Sequence, residues 1–273
     1  MYFHLETLPT PEENLAFDEA LVEVADRFAI SDSGAGKESF EAGARHEVLR
    51  LWELNSPCVV MGRASRLAEE VNTDSCKLHG VPVLRRASGG ASIVAGPGCL
   101  MYSVLVSYQH RPALRALDVA HREVMSQIRD AVQHTFNKLQ MPLLVGIDGT
   151  CDLTIGGRKF SGNALRCKRH WMLYHGTILV SMPLEWLSTY LREPPRQPEY
   201  REKREHGSFV TSVANECNRL ESRLFSHELE SSIVSIWDAK DPWQSYPWKE
   251  EVELETICLL QTRYALKAWN ESR

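Results

Sequence analysis

At 273 residues, with 43% apolar and 25% charged residues, the chain can form one large domain or two small ones around a sizeable core, in the composition range of soluble globular proteins. A formal net charge of −5 excludes a general nucleic-acid or membrane-surface binder, so any positive potential has to be local. No apolar run approaches the roughly 20 residues of a membrane helix, and seven cysteines without a C-x-x-C pair speak against a zinc ribbon or a thioredoxin-like site and fit a reducing cytoplasm.

The first residues, Met1 to Thr7, lack the basic and apolar stretches of a signal peptide. Glu13 to Phe28 predicts a helix with Phe17, Leu21, Val24 and Phe28 on one apolar stripe. Ser31 to Ala44 reads as a flexible surface loop. Its Gly34-Ala35-Gly36-Lys37-Glu38-Ser39 fails as a P-loop, because Glu38 stands where Ser or Thr should follow the lysine and Ser31 where the first glycine should be. Val48–Trp52 and Cys58–Met61 predict strands joined at Asn55-Ser56-Pro57, followed by a short helix over Thr73–His79. Pro82–Arg86 is the next strand, and its Arg85-Arg86 end feeds the loop Ala87-Ser88-Gly89-Gly90. Cys99 to Tyr108 alternates as a strand, and Asp118 to Leu139 carries an amphipathic stripe of Val124, Ile128, Val132, Phe136 and Leu139, with Met125 and His134 off it. His121 and His134 read as surface histidines.

Asp152–Ile155 and Arg158–Phe160 then form a hairpin around Gly156-Gly157, two residues suited to the positive φ of such a turn. Side chains alternate along a strand, so Lys159 faces opposite to Arg158 and Phe160, and only one of the two cations can enter a site. Trp171–Tyr174 and Gly176–Val180 continue the sheet, and Pro183–Leu191 predicts a helix. Residues 193–208, rich in proline and charge, read as a solvated connector in preference to a closing lid. Leu220–Trp237 is helical by spacing, and the aromatic stretch Trp243–Trp248 leads to a last helix over Glu253–Ala268.

The two glycine-plus-cation segments suit a site for an acyl phosphate. A substrate carboxylate and an ATP α-phosphate are both anionic, so bringing them together requires fixed positive charge and backbone N–H donors. Lysine is a compact charge that can touch both partners, and arginine a planar fork that grips one of them. Either segment alone is equally what a bare glycine turn or a solvated basic pair produces.

Taken together, Arg85-Arg86-Ala87-Ser88-Gly89-Gly90 and Gly156-Gly157-Arg158-Lys159-Phe160-Ser161-Gly162-Asn163-Ala164 resemble the lipoate-protein ligase family, which shares a catalytic domain with biotin ligases and octanoyltransferases. Asn14–Ala20, Val59–Arg63 through Asn72, Asp152-Leu153, His175–Leu179 and Val210–Val213 fall in the family's order. Arg263-Tyr264 through Trp269-Asn270 is a weaker echo. The resemblance implies an α/β (α+β) fold, a mixed, largely antiparallel sheet with flanking helices, as a single catalytic domain over 1–273 with 218–273 as its helical extension. It implies adenylation of lipoate by ATP with Mg2+, then transfer to a lysine of the lipoyl acceptor domain of a carrier protein in the cytoplasm. Because the chain ends without the accessory carboxy-terminal domain of some ligases, a separate accessory subunit and a one-domain enzyme are both open; no nucleic-acid or membrane partner is implied.

By the same resemblance Lys159 is catalytic, polarising the carboxyl and α-phosphate oxygens. Arg85 or Arg86, with Ser88, Gly89, Gly90 and Ala91, would hold the adenylate, and Gly62 and Arg63 belong to the first substrate loop. Asp152 would help place Mg2+ or the adenylate, while Gly162, Ala164, His175, Gly176 and Thr177 would line the site; which residues would ligate a metal is unknown. Two positions depart from the family pattern: Ala95-Gly96-Pro97-Gly98-Cys99 replaces a His-Asp and Gly-Asn sequence, and Ala91 replaces a third glycine. Two alternatives remain. An octanoyltransferase needs a thiolate to carry the acyl group; one branch has its cysteine where this chain has Met172, the other in a loop like that of Cys151. A non-catalytic carrier-binding homologue is the second. Biotin ligation is disfavoured because Gly62-Arg63-Ala64-Ser65-Arg66 lacks the repeated Gly-Arg pattern.

Overall fold

The computed structural model describes residues 1–32, 46–194, 197–217 and 220–272. Its strands, in chain order, are β1 (Tyr2–His4), β2 (Val48–Trp52), β3 (Cys58–Met61), β4 (Val83–Arg85), β5 (Ile93–Ala95), β6 (Cys99–Ser107), β7 (Val145–Asp148), β8 (Asp152–Ile155), β9 (Arg158–Ser161), β10 (Asn163–Cys167), β11 (Trp171–Leu179) and β12 (Asp241–Pro242). They build a six-stranded sheet in the order β10-β11-β6-β2-β1-β12 and two three-stranded sheets, β4-β3-β5 and β7-β8-β9. The large sheet is antiparallel from β10 to β2 and parallel from β2 to β12. The fold is thus the expected mixed, largely antiparallel α/β arrangement.

Every residue of β6, and every residue of β11 except His175, is buried, because helices and the small sheet β4-β3-β5 cover this sheet from both sides. The alternation expected for Cys99–Tyr108 therefore separates two buried faces instead of a wet and a dry one. The strand pattern at Trp171–Tyr174 and Gly176–Val180 belongs to one continuous strand that holds His175 in its middle.

Among the helices, α1 (Pro11–Asp32) and α2 (Thr73–His79) match the expected periodic segments, as does α3 (Leu117–Lys138). The first extends through Ser31 and Asp32, which were expected in a loop; the remainder of that loop, with the Gly34–Ser39 stretch, lies outside the described residues. The helix α2 ends on Gly80 at φ 65°, a left-handed cap that closes the helix without a Cβ penalty. Met125, expected off the stripe of α3, is fully buried, and His121 is half-buried with Nδ1 2.9 Å from Tyr174 OH, so of His121 and His134 the second alone is a surface residue.

Further along the chain come α4 (Glu185–Tyr190), α5 (Ser222–Ile236) and α6 (Lys249–Leu259). The expected last helix ends earlier than its pattern, turns through a π segment at Leu260–Tyr264, and resumes as α7 (Lys267–Asn270). That break lets Tyr264 and Asn270 both turn inward, where they are buried. The aromatic stretch is core: Trp243 stacks on Tyr246 at 4.8 Å and meets His4 edge-on at 5.1 Å. Residues of α5 and α6 share one hydrophobic core with α1 and the sheets. Among the described residues no helix is long and apolar enough to cross a membrane.

Candidate active site

The hairpin β8–β9 turns at Gly156 and Gly157, with φ 57° and 73°, both in the left-handed region that glycine adopts without strain. Alternation then separates the three residues of the returning strand. Phe160 is fully buried, Arg158 runs outward to Glu216 at 2.6 Å, and Lys159 enters a cavity. Lys159 Nζ pairs with Asp152 Oδ1 at 2.8 Å across the hairpin, and its backbone carbonyl accepts from Thr211 N at 2.8 Å. Gly162 leaves the lysine its path, since a Cβ there would stand 3.0 Å from both Cε and Nζ of Lys159.

The cavity lies between the large sheet and the loop that follows β4. From the large sheet come Trp52, Met101, Leu173, His175, Thr177 and Leu179, one face of adjacent strands. Across from them stand Val60 and the loop residues Arg86, Ala87, Ser88, Gly90 and Ala91, while Gly162, Asn163, Ala164 and Gly176 close the side beside Lys159. Most of the wall is apolar carbon.

Both arginines of the upstream motif are engaged by protein acceptors. Arg86 is buried and its donors are engaged by its own loop: Nε by Ser88 Oγ and Gly89 O at 3.1 Å, Nη1 by Val60 O at 3.1 Å, and Nη2 by Gly89 O at 2.6 Å and Ala91 O at 3.0 Å. Burial draws its pKa down to about 10, with Glu70 acting in the opposite direction, so it stays charged. Arg85 stands outside the cavity wall. Its Nη1 donates to the carbonyls of Gly62, Arg63 and Ser65 at 3.0, 3.2 and 2.8 Å, and its Nε to Trp269 O at 3.2 Å. Arg85 thereby ties the loop at Gly62–Ser65 to the helix α7, and the reciprocal bonds Trp269 Nε1 to Arg85 O and Arg85 N to Asn270 Oδ1 close the tie.

Ser88 Oγ lies 2.6 Å from His175 Nε2. Arg86 Nε already donates to that oxygen, so the hydroxyl hydrogen is free for the imidazole, which we assign as the acceptor. Burial, reinforced by Arg86, holds the His175 pKa down to about 3, so the ring is neutral and acts as a fixed wall. Of the expected site residues the structure brings together Lys159, Arg86, Ser88, Gly90, Ala91, Gly162, Ala164, His175, Gly176 and Thr177 at the cavity. Gly62, Arg63, Arg85 and Gly89 are outside its wall, and Asp152 stands behind Lys159 as its partner.

Several residues of the site were not among the expected site residues. Glu19 lines the cavity and accepts from Tyr264 OH at 2.8 Å, from Arg263, and from Arg166 at 3.3 Å. Arg166 also reaches Glu23 at 2.7 Å; the spacing of Glu19 and Glu23, four residues apart on one helix face, was the available signal. Arg166 sits on β10, whose Asn-Ala-Leu-Arg-Cys carries no strand pattern. Arg201 and His206 line the cavity from the segment read as a connector, both paired with Glu193, at 2.5 and 2.9 Å. That segment is packed onto the site: Arg201 is buried, and Tyr200 OH donates to Asp152 Oδ2 at 2.6 Å. Pro195 and Arg196 lie outside the described residues.

Among the thiols, Cys151 adjoins Asp152 and feels the charge of Lys159. Cys151 has Sγ 3.5 Å from Asn163 O, stands outside the cavity wall, and is pushed up to about 11 by burial and by Asp152. Met172 is fully buried in β11. Among the described residues no group of three or more His, Cys, Asp or Glu could hold a metal ion. Both oxygens of Asp152 are engaged, Asp18 is held by Arg50 and Ser103 at 2.7 Å each, and Glu19 is engaged as above, so the cavity carboxylates do not form a metal cage.

Residues 10–233 match the profile of the family described as the lipoyl protein ligase A/B catalytic domain. Among curated proteins, the octanoyltransferase LipM of Oceanobacillus iheyensis is 25% identical over 86% of this chain and 88% of its own length. The lipoate-protein ligase LplJ of Bacillus subtilis is 24% identical over 82% of this chain; the match spans 64% of that ligase's length. Among solved structures, protein Ta0514 of T. acidophilum with bound lipoic acid superposes with a TM-score of 0.71 at 22% identity over 99% of both chains.

Proposed function

Because the chain belongs to the lipoyl protein ligase A/B catalytic-domain family, we propose that it activates lipoate with ATP to lipoyl-AMP and transfers the lipoyl group to a lysine of an acceptor domain. The observation that carries this reading is Lys159. It is the cation that the glycine hairpin delivers to the cavity, held at 2.8 Å by Asp152, while the nearby Cys151 thiol stays protonated and outside the cavity wall. A lysine so placed serves adenylation, and a protonated thiol does not serve acyl capture.

In the first half-reaction a carboxylate oxygen of the acid attacks the α-phosphorus of ATP and pyrophosphate leaves. Lys159 offsets the charge shared by carboxylate and phosphate, and the Ser88–Ala91 loop, held open by Arg86, provides the polar wall. In the second, the acceptor amine attacks the acyl carbon of the mixed anhydride, AMP leaves, and the amine's proton passes to solvent. Trp52, Val60, Met101 and Leu179 give an aliphatic chain its apolar surface. Among the described residues the cavity carboxylates do not form a cage for Mg2+.

The test is intact-mass analysis of a lipoyl acceptor domain incubated with the protein and lipoate, with and without ATP. A lipoyl mass gain that requires ATP is expected. The likeness to an octanoyltransferase at 25% identity favours a second reading. Transfer from octanoyl carrier protein without ATP, through a thioester on Cys151, would support that reading and overturn the first.

A further inference from the structure

Asp152 is a buried carboxylate whose two oxygens are divided between two partners. Oδ1 takes the Lys159 ammonium at 2.8 Å, and Oδ2 takes the Tyr200 hydroxyl at 2.6 Å. The tyrosine comes from a part of the chain remote from the hairpin, and its ring is fitted to the place it occupies. At Gly149, in the turn before β8, φ is +59° and a Cβ would stand 2.9 Å from Tyr200 Cε1, so the turn is shaped around the ring. On its other side the ring meets Phe209 at 5.2 Å, and the guanidinium groups of Arg201 and Arg204 lie over Phe209 at 4.9 and 5.2 Å. Phe209 and Arg201 line the cavity. The segment is also fastened to the strand that carries the lysine, through Thr211 N to Lys159 O at 2.8 Å.

We propose that Tyr200 is a positioning residue for Lys159, acting through Asp152; the proposal rests on the adenylation reading above. A carboxylate oxygen that already accepts from a hydroxyl is a weaker acceptor for the ammonium, so Lys159 is held at Oδ1 and its other hydrogens remain for substrate. Burial and Asp152 raise the pKa of the phenol, so it remains a donor through the neutral range. Without the hydroxyl, Oδ2 is left buried with Lys159 as its nearest cationic partner, and the ion pair tightens at the expense of contact with the reacting oxygens. The same hydroxyl links the docking of residues 197–209 to the geometry of the lysine, so the wall contributed by Arg201 and Phe209 and the catalytic charge are set together.

Tyr200→Phe keeps the ring against Gly149 and Phe209 and removes only the hydroxyl. In lipoate-dependent ATP–pyrophosphate exchange, kcat is expected to fall roughly 10- to 100-fold with KM for ATP and lipoate within about twofold of wild type. Independently of activity, limited acylation of the free protein with a water-soluble N-hydroxysuccinimide ester, read by peptide mass spectrometry, should label Lys159 about threefold or more slowly, the equivalent of one net hydrogen bond. The exposed Lys77 should label at the wild-type rate, a control for the reagent, and an unchanged near-UV circular dichroism spectrum reports an intact fold. A wild-type kcat, or wild-type labelling of Lys159, overturns the proposal. If the wild-type protein shows no exchange, the adenylation reading fails, and the labelling experiment still decides the role of Tyr200.

Discussion

In the amino-acid sequence the upstream Arg85-Arg86 loop and the Lys159 hairpin look alike, each a cation beside paired glycines. In the structure they do opposite work. Arg86 gives its donors to carbonyls of Val60, Gly89 and Ala91, and Arg85 gives its own to Gly62, Arg63 and Ser65, so the upstream motif is a frame of backbone held from inside. Lys159 has one carboxylate partner and otherwise faces the cavity. Charge type alone does not separate the two roles; counting the acceptors around each donor does. A planar guanidinium with five hydrogens suits the closing of loops, and a compact ammonium leaves hydrogens over for a ligand.

The contrast is testable by removing each cation in turn. Lys159→Ala should lower lipoate-dependent pyrophosphate exchange by about 10²–10³ while the urea midpoint stays near that of wild type, because the loss falls on the reaction and not on the fold. Arg86→Ala should do the reverse in emphasis. It leaves the buried carbonyl of Val60 and the part-buried carbonyls of Gly89 and Ala91 short of a donor and should cost about 1–3 kcal/mol in urea unfolding, with activity falling only as the loop loses its shape.

A smaller effect concerns pH. His175 and His4 both have native pKa values near 3, far below the ordinary 6.5, and burial is the leading cause in each. The native protein keeps both rings neutral while the unfolded chain takes up protons below about 6.5, so their contribution to stability is full above that pH and is lost progressively towards pH 3. Replacing His175 by Gln should therefore reduce the stability difference between pH 7.5 and pH 5 by about 1–2 kcal/mol, measured by urea unfolding at the two pH values. The smallest effect is expected at Arg158, whose ion pair with Glu216 is substantially exposed. Arg158→Ala should change stability by less than about 1 kcal/mol and leave exchange at the wild-type rate, although it adjoins Lys159.

Local chemistry explains which parts were legible beforehand. The turn at Gly156-Gly157, the alternation that separates Lys159 from Arg158, and the stripes of α1 and α3 are set by neighbours in the chain, and each was readable. β10 was not, because Asn163 and Arg166 are polar residues that become strand only by pairing with β11, Ala164 against His175 and Arg166 against Leu173. The segment containing Tyr200, Arg201 and His206 misled for a related reason. Proline and charge signal solvent in isolation, whereas here Glu193 neutralises Arg201 and His206, and Asp152 receives Tyr200. The inward turn of Arg85 and Arg86 was hidden because their partners are backbone carbonyls, which any residue type carries.

The most direct measurement is native mass spectrometry of the protein incubated with ATP and lipoate in the absence of an acceptor, followed by the same sample after denaturation. The expected result is one equivalent of lipoyl-AMP held non-covalently, present in the native spectrum and absent from the denatured chain. A covalent acyl adduct on Cys151 that survives denaturation, or no adenylate at all, would contradict a lysine-centred adenylation.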